Sequence, residues 1–543
     1  MSLDKGVLEE KKIKVKRWRT VQNYCRRFVV KNRFSLSLFA ISTITVILAA
    51  LYYLQTMTRW TEAGFPLDDS WIHVEFARSI FEGRPWEYSP GWLSTGSTSP
   101  LWAIVLSPLF FISTNPETLI LQIYAVSIFF YIGSAFITGF IVRDYTESDL
   151  FAYIAVIAFV LTPRGTWLMI SGMESPIFIF LIFLGIYFAD KPGWKYDIMM
   201  GVIGGLLFLT RPEGLLFLVV GLPLRFLVIA KQRELHWKRL ISFGAATLAA
   251  CAIAIPWVVH CISVTGFPLP DTFYTKSGGI TPSSITIWND FWIGTFASFP
   301  CLILGLFGGV VFVFKGKPYP WAFVAAMMLA YFQTVPYSVL VNNARYMTPL
   351  ISVLIILSLS FIGLITNRLR ARPPTLKNEL SYSITTAVLV LLLIIPTTPY
   401  FIWQADFYGN SVKNINDMQV TIGHWIYENT LRNASFAIFD AGAIRFFGNR
   451  TVFDIALLVT PELAHGNFTI TETFEWLQNH TCNYIIAWRD WFRTTAAFVL
   501  HLRFTELFRI TLTDNVICAG PEMSVFSLDW NQSSQWSSHS LFV

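Results

Sequence analysis

Long apolar stretches separated by short polar ones fill the chain up to about residue 402. The first, over about 34–55, has the length of about 20 residues that an α-helix needs to cross a bilayer. Several others are shorter and are expected to be re-entrant, broken or packed inside a bundle. The pattern predicts a polytopic α-helical membrane protein with about 10–13 transmembrane helices. The further apolar segments lie at about 100–113, 118–142, 150–163, 173–190, 197–210, 214–230, 240–262, 291–314, 318–337, 347–366 and 382–402.

The pattern changes after residue 402, where apolar and polar positions mix at shorter periods. Residues 412–431 have the spacing of an amphipathic helix. Four runs are typical of short strands, at 436–440, 483–488, 508–512 and 523–528. We therefore predict three parts: a basic arm over 1–33, a transmembrane domain over 34–402, and a soluble α/β domain over 403–543.

Composition and charge support a membrane protein and give it an orientation. Hydrophobic residues make up 54% of the 543 positions and charged residues only 14%, against about 25% charged in soluble domains. The net charge of +6 does not indicate nucleic-acid binding, because Lys and Arg cluster in short loops as the positive-inside rule expects of cytoplasmic segments. These clusters lie at 5–33, 225–239, 315–317 and 368–377.

Counting crossings from those clusters places the loop 56–99 and the tail from 403 on the extracytoplasmic side of the cell membrane. Counting forward and backward disagrees over 100–142, so one of its two segments is not expected to cross fully. The N-x-S/T sequons support the side assigned to the tail, since all five lie beyond residue 402, at Asn433, Asn449, Asn467, Asn479 and Asn531. Cys482 and Cys518 share the tail, where a disulfide between them is one alternative.

Charged side chains avoid the middle of the apolar segments and gather at their extracytoplasmic ends. A solute or lipid transporter would instead carry ionisable groups in mid-helix. A non-enzymatic scaffold with a glycan-binding tail is the other alternative, and this density of charge argues against it. The residues are Asp68, Asp69, His73, Glu75, Glu82, Arg84, Glu174, Arg211, Glu213, Asp271, Lys276 and Arg345.

The adjacent carboxylates Asp68 and Asp69 suit general-base chemistry, in which one takes the proton of an incoming hydroxyl. Lys276, Arg211 and Arg345 supply positive charge for a leaving phosphate.

Each of these functional interpretations has a structural alternative. Aspartate is a good helix N-cap, tryptophans anchor at the membrane interface, and Glu174, Arg211 and Glu213 can pair with one another. The sequence has no Gly-x-Ser-x-Gly nucleophile elbow, no Gly-x-x-x-x-Gly-Lys phosphate loop and no second acidic motif that would favour a metal.

Ordered motifs resemble those of GT-C glycosyltransferases, and most nearly their arabinofuranosyltransferase-like (AftB-type) branch. The resemblance spans about residues 35–460. Each motif is weak alone, but their common order is fairly specific for the superfamily. They are LDDSWI at 67–72, FARS at 76–79, GSTSPLW at 96–102, SGMES at 171–175, LTRPEGL at 209–215, PLPDTFYTK at 268–276, ARYMTP at 344–349, and DAGAI at 440–444 with GNR at 448–450.

The resemblance implies an inverting sugar transfer from a polyprenyl-phosphate donor without a nucleotide sugar, and we expect the acceptor to be a glycan, glycolipid or glycoprotein. No cofactor is expected, and the single Asp-Asp pair without a second acidic motif favours a reaction without a metal. The resemblance places the general base at Asp68 or Asp69 and assigns Lys276 to the donor phosphate. Membrane lipid is the other expected partner. Together with the residue chemistry, this predicts a substrate-binding set of Trp71, His73, Trp92, Glu174, Arg211, Glu213, Lys276, Arg345 and Tyr346.

Overall fold

A computed structural model describes residues 31–234, 236–276, 280–339, 342–370, 376–466, 468–488 and 503–530. Nearly all of the predicted basic arm lies outside this part of the chain. The membrane half is helical apart from a two-stranded ribbon, β1 (Glu87–Ser89) and β2 (Trp92–Leu93). Its helices are α1 (Arg33–Met57), α2 (Asp68–Phe81), α3 (Pro100–Leu106), α4 (Pro116–Thr146), α5 (Asp149–Val160), α6 (Pro163–Met169), α7 (Ser175–Ala189), α8 (Trp194–Thr210), α9 (Leu222–Lys231), α10 (Trp237–Thr265), α11 (Asp271–Lys276), α12 (Pro282–Ser298), α13 (Cys301–Phe314), α14 (Tyr319–Thr334) and α15 (Thr348–Arg370).

Five helical stretches in the described residues are long and apolar enough to cross a membrane, or seven if two bent pairs each count as one span. The bends are 66° between α5 and α6 and 102° between α12 and α13. This count is below 10–13 because several apolar segments form short helices, as some were expected to do. The segment 100–111 divides into α3 and a 3-10 turn. It is only about 18 Å long, too short to cross a hydrocarbon core of about 30 Å. It is therefore the segment of 100–142 that does not cross fully, and the forward and backward counts of crossings agree.

Small residues let the membrane helices approach closely. A Cβ on Gly201 of α8 would stand 2.1 Å from the carbonyl oxygen of Ala246 on α10. A Cβ on Gly305 of α13 would stand 2.5 Å from the carbonyl oxygen of Leu354 on α15. The two contacts hold α10 against α8 and α15 against α13.

The tail is an α/β domain, as predicted. Helix α16 (Leu376–Ile415) crosses the predicted boundary at 403 and continues through a π-helical turn (Asn416–Val420) into α17 (Thr421–Asn429). The five-stranded sheet has the order β4-β3-β5-β7-β6, with parallel pairing of β3 to β4 and β5 and antiparallel pairing of β7 to β5 and β6. Its elements are β3 (Ser435–Ile438), α18 (Gly442–Gly448), β4 (Thr451–Asp454), α19 (Pro461–His465), α20 (Ile470–Asn479), β5 (Tyr484–Trp488), β6 (Arg503–Thr511) and β7 (Glu522–Asp529).

The tail packs directly on the acidic loop. Helix α2 lies against α18, where Glu75 pairs with Nη2 of Arg445 at 3.0 Å. The Tyr88 hydroxyl donates to the carbonyl oxygen of Ala441 at 2.6 Å. Cys482 and Cys518 are both free thiols in the structure, so the alternative of a disulfide between them is wrong. A buried ion pair and a hydrogen bond join the tail to the loop.

Candidate active site

Asp69 lies in the first turn of α2 and is held by two cations from distant parts of the chain. Its Oδ2 accepts a hydrogen bond from Nη2 of Arg345 at 2.6 Å and lies 3.8 Å from Nζ of Lys276. Burial alone would raise the pKa of the Asp69 carboxyl, but Arg345 and Lys276 hold it well below its ordinary value. Asp69 is therefore an ionised carboxylate before any substrate enters.

Asp68 faces the other way, toward the tail. Its two carboxylate oxygens accept the backbone N–H groups of Gly442 and Ala443 at 2.7 Å each, at the start of α18. The N-cap of its own helix is Leu67, without a side-chain hydrogen bond, so Asp68 caps a helix of the tail instead. Burial and the nearby Asp440 carboxylate raise the pKa of Asp68, against the lowering effect of the two N–H donors.

A strained turn precedes Arg345. Asn342, Asn343 and Ala344 have φ values of 49°, 58° and 53°, in the left-handed region that side chains other than glycine seldom adopt. The amides of Asn343 and Gln404 exchange hydrogen bonds at 2.8 and 3.1 Å, which hold the turn to α16. Such strain collects at functional sites, and here it directs the Arg345 guanidinium to Asp69.

A second charge cluster lies beside the first. Arg211 Nε lies 3.1 Å from Glu174 and 3.2 Å from Glu213. His73 Nε2 lies 3.2 Å from the other oxygen of Glu174. Burial would raise the pKa of Glu174, but Arg211 and His73 lower it to about 2. The structural pairing considered for Glu174, Arg211 and Glu213 is thus present, and both acids face a cavity.

The cavity has a volume of about 280 Å³ and joins the two clusters. Its lining includes charged side chains of both clusters, and Lys276 and Met173 also line a smaller pocket that contains Asp69 and His73. Its lining also includes apolar side chains, of which Leu215 and Val219 are 43% and 60% exposed on a membrane-length helical stretch. The residues with charged or phenolic side chains that line it are Glu174, Arg211, Glu213, Lys276, Tyr331, Arg345 and Tyr346.

Three cations of the cavity lining act on Tyr346. Burial would raise the pKa of this phenol, but Lys276, Arg345 and Arg211 together lower it. Tyr331, which the sequence analysis missed, donates from its hydroxyl to Glu213 at 2.6 Å. Lys276 has the weakest contact of the three cations and is 31% exposed, so it is the cation most available to an anionic ligand.

The tail forms one wall of the smaller pocket, through Leu458. The Asp454 carboxylate organises this wall by accepting the N–H groups of Ala456, Leu458 and Val459 at 2.7–2.9 Å. The preceding Leu457 has a φ of 66°, and its carbonyl oxygen accepts the Thr275 hydroxyl at 2.8 Å. The tail thereby touches the short helix α11 that carries Lys276.

A buried pair strengthens that contact at the start of α11. Asp271 accepts the Thr95 hydroxyl at 2.5 Å, and His465 Nε2 of the tail lies 2.9 Å from the same oxygen. Burial raises the pKa of the Asp271 carboxyl. Neither tail contact was signalled in the sequence, because both join segments more than 180 residues apart.

Two predicted substrate-binding residues have other roles. Trp71 is 1% exposed and packs against Phe65, Phe446 and Phe447 with ring centroids 4.7–5.0 Å away. Trp92 packs against aromatic rings of the tail and lines neither the cavity nor the smaller pocket. Neither ring lines the cavity or the smaller pocket, because docking of the tail covers an aromatic face that the loop alone would expose. A substrate contact of either ring stays a prediction. In the described residues no group of three or more His, Cys, Asp or Glu side chains is placed to hold a metal ion.

Comparison with known proteins places this geometry in a fold. A family described as a domain of unknown function (DUF8728) matches residues 413–526, and no curated protein matches the sequence. ArnT from Cupriavidus metallidurans, in its crystal structure with undecaprenyl phosphate, is similar with a TM-score of 0.57 at 11% identity, over 89% of this chain and 97% of that chain. The Archaeoglobus fulgidus oligosaccharyltransferase, tethered with an acceptor peptide, is similar with a TM-score of 0.52 at 13% identity, over 82% of this chain and 69% of that chain. The protein therefore has the predicted GT-C membrane fold with a sheet-containing C-terminal domain.

Proposed function

We propose that the protein is a membrane glycosyltransferase that moves a sugar from a polyprenyl-phosphate donor to an acceptor hydroxyl on the extracytoplasmic side. The observation that carries the proposal is the lining of the cavity, which combines charged side chains with apolar ones exposed on a membrane-length helical stretch. A polyprenyl chain fits the exposed apolar side near Leu215 and Val219, and a phosphate fits beside Lys276. The shared fold with ArnT, crystallised with undecaprenyl phosphate, supports this class of donor.

The donor phosphate contacts Lys276 and Arg345, the two cations that face Asp69. Asp69 accepts the proton of the acceptor hydroxyl, whose oxygen attacks the anomeric carbon as the bond from that carbon to the phosphate oxygen breaks. The lipid phosphate leaves with its negative charge neutralised by the two cations. Attack opposite the leaving group inverts the anomeric carbon.

Phosphate binding also makes Asp69 a better base. In the unliganded site Arg345 and Lys276 lower the pKa of Asp69, and a general base works best with a pKa near the working pH. A phosphate that draws both cations away removes the cause of that lowering, while burial still raises the pKa. The base is thereby activated only when the donor is present.

Asp68 has a positioning role in this proposal. It lines neither pocket, and both its oxygens are occupied by N–H donors of the tail. Arg211, Glu174 and His73 fix the inner wall of the cavity, and the acceptor approaches along the wall formed by Leu458. The motif resemblance favours an arabinofuranosyl donor and a cell-envelope glycan acceptor. Lipid-linked sugar analysis and linkage analysis of surface glycans from a deletion strain test those two assignments.

Asp69→Asn tests the role of the base. Complementing a deletion strain with this variant should lower transfer to the surface glycan by about 10²–10⁴-fold, the usual contribution of a general base. Purified Asp69→Asn should also bind undecaprenyl phosphate more tightly than the parent protein, because Arg345 and Lys276 lose their competing carboxylate. Lys276→Met should weaken that binding. Glycan mass analysis and lipid-phosphate binding in nanodiscs are the two measurements.

Two comparisons make this experiment specific. Asp290→Asn removes an exposed carboxylate of α12 and should change neither measurement. Asp68→Asn should lower the melting temperature and reduce transfer only in proportion to the protein that remains folded. Normal transfer by Asp69→Asn, or loss of transfer with Asp68→Asn while the fold is intact, contradicts the assignment of Asp69 as base.

A further inference from the structure

Asparagine sequons are confined to one part of the chain. Five of the 11 asparagines beyond residue 402 stand in N-x-S/T sequons, and none of the eight before it does. Three of the five, Asn433, Asn449 and Asn479, lie in the described residues, and all three side chains are exposed. Asn467 and Asn531 lie outside that part of the chain. The bias toward one domain is what an acceptor surface for glycans requires.

The backbone at these positions also suits modification. Asn433 lies in the turn between α17 and β3, Asn449 ends α18 in the left-handed conformation, and Asn479 is the last residue of α20. None of the three lies within a strand. In the described residues none of their Nδ2 atoms donates a hydrogen bond, and only the Oδ1 of Asn449 accepts one, from Arg445 at 3.5 Å. The amide nitrogen that would carry a sugar is therefore free at each site.

We propose that the tail domain is itself N-glycosylated, with Asn479 as the most accessible of the described sites. The co-reactant is a lipid-linked oligosaccharide, and the catalyst is the oligosaccharyltransferase of the host. The Nδ2 atom attacks the anomeric carbon of the oligosaccharide and loses a proton to a base. The bond from that carbon to the lipid phosphate oxygen breaks, and the lipid phosphate leaves.

The three sequons differ in the accessibility of their hydroxyl residue. Thr481 is exposed, in a turn after α20 with a φ of 52°. Ser435 is buried at the start of β3, and its hydroxyl donates to the carbonyl oxygen of Thr481 at 3.0 Å. Modification at Asn433 must therefore precede folding of β3, whereas Asn479 is accessible in the folded domain. We expect a higher glycan occupancy at Asn479 than at Asn433.

The test is mass spectrometry of peptides from the full-length protein, purified from a host that glycosylates a co-expressed sequon reporter. The peptide with Asn479 should carry an added oligosaccharide mass. Asn479→Gln and Thr481→Ala should both abolish that mass, and Thr481→Ser should keep it. Asn429→Gln is the matched control, because Asn429 is exposed and is followed by Thr430 but has Leu431 at the sequon's third position.

Labelling of Asn429→Cys in intact cells with a membrane-impermeant maleimide, measured against the parent protein, identifies the side of the tail. Labelled cells with all five asparagines unmodified would overturn the glycosylation inference and leave the transferase proposal standing. Labelling only after lysis would overturn the extracytoplasmic position of the tail, on which both rest. An added mass that survives Thr481→Ala would show another modification and would also overturn the inference.

Discussion

Neighbouring residues on an α-helix point about 100° apart, and this separates the two adjacent carboxylates of α2 into different roles. Asp69 points to Arg345 and Lys276 at the cavity, and Asp68 points to the backbone N–H groups of the tail. The sequence shows that the two aspartates are adjacent, but it does not show which part of the structure each side chain contacts. The structure therefore favours one of them as the base where the sequence left both.

At the same scale, Asp440 should make stability depend on pH. Burial raises the pKa of its carboxyl to about 6, above the ordinary aspartate value in the unfolded chain. A carboxyl whose pKa is raised on folding contributes stability below about pH 4, and that contribution is lost as the pH rises through about 6. Asp440→Asn should therefore raise the melting temperature above pH 6. The free energy of unfolding should increase by up to about 3 kcal/mol.

The melting temperature of purified protein in detergent from pH 4 to pH 8 measures this effect. The curves of the variant and the parent should meet near pH 4, where Asp440 is protonated. The Gln419 amide donates to Oδ2 of Asp440 at 2.7 Å, and an asparagine oxygen can still accept that bond. An equal melting temperature at pH 8, or a lower one for the variant, would contradict the raised pKa.

The sequence allowed residues to be placed at the site where their charge or the order of the motifs marked them. It did not allow this for residues whose exposure depends on docking of the tail. Lys276, Arg345 and Tyr346 line the predicted site. Trp71 and Trp92 pack against other aromatic rings and line neither pocket, because an aromatic ring can pack in an interior as well as against a sugar. Tyr331 and Leu458 were missed because no local pattern marks a hydroxyl or an apolar side chain that contributes only through a distant contact.

At the scale of elements, the junction of α2 with α18 has room only for glycine at position 442. A Cβ there would stand 2.0 Å from the backbone oxygen of Asp68. Gly442→Ala should therefore push α18 from α2, at a cost of about 1–3 kcal/mol, and lower both the melting temperature and transfer. Gly294→Ala on α12 is the control, because its Cβ meets no atom within 4 Å. It should not lower the melting temperature, since alanine favours a helix more than glycine does. A parental melting temperature for Gly442→Ala would show that the junction is not tight.

Elements were predicted well where length or alternation was strong. The strands β3, β5, β6 and β7 overlap the four predicted runs, and α17 falls within the predicted amphipathic stretch. The strand β4 was missed although β3 has the same length, because only Val452 and Phe453 of its four residues are apolar. The 102° bend between α12 and α13 was also missed, because hydrophobicity reports the length of a segment and not its direction.

Across the whole molecule, the tail completes a site that begins in the membrane domain. Its helix α18 donates two backbone N–H groups to Asp68, its Leu458 lines the pocket of Asp69, and its His465 holds α11 through Asp271. The sequence predicted both halves as separate domains, and their mutual contacts needed the structure.

Because Lys276 is on α11, His465→Gln should weaken undecaprenyl phosphate binding without changing the arrangement of the Arg211 cluster.

The charge balance of the whole site argues that transfer needs no divalent metal. The carboxylates Asp69, Glu174 and Glu213 face the cations Arg211, Lys276 and Arg345, and each acid already has a basic partner. In the proposed reaction Lys276 and Arg345 neutralise the donor phosphate without a metal. Transfer in washed membranes should therefore change less than about twofold when EDTA is added, and Mg²⁺ or Mn²⁺ should not stimulate it. Loss of transfer in EDTA that either ion restores would contradict this assignment and would give Asp69 a metal-binding role in place of its role as base.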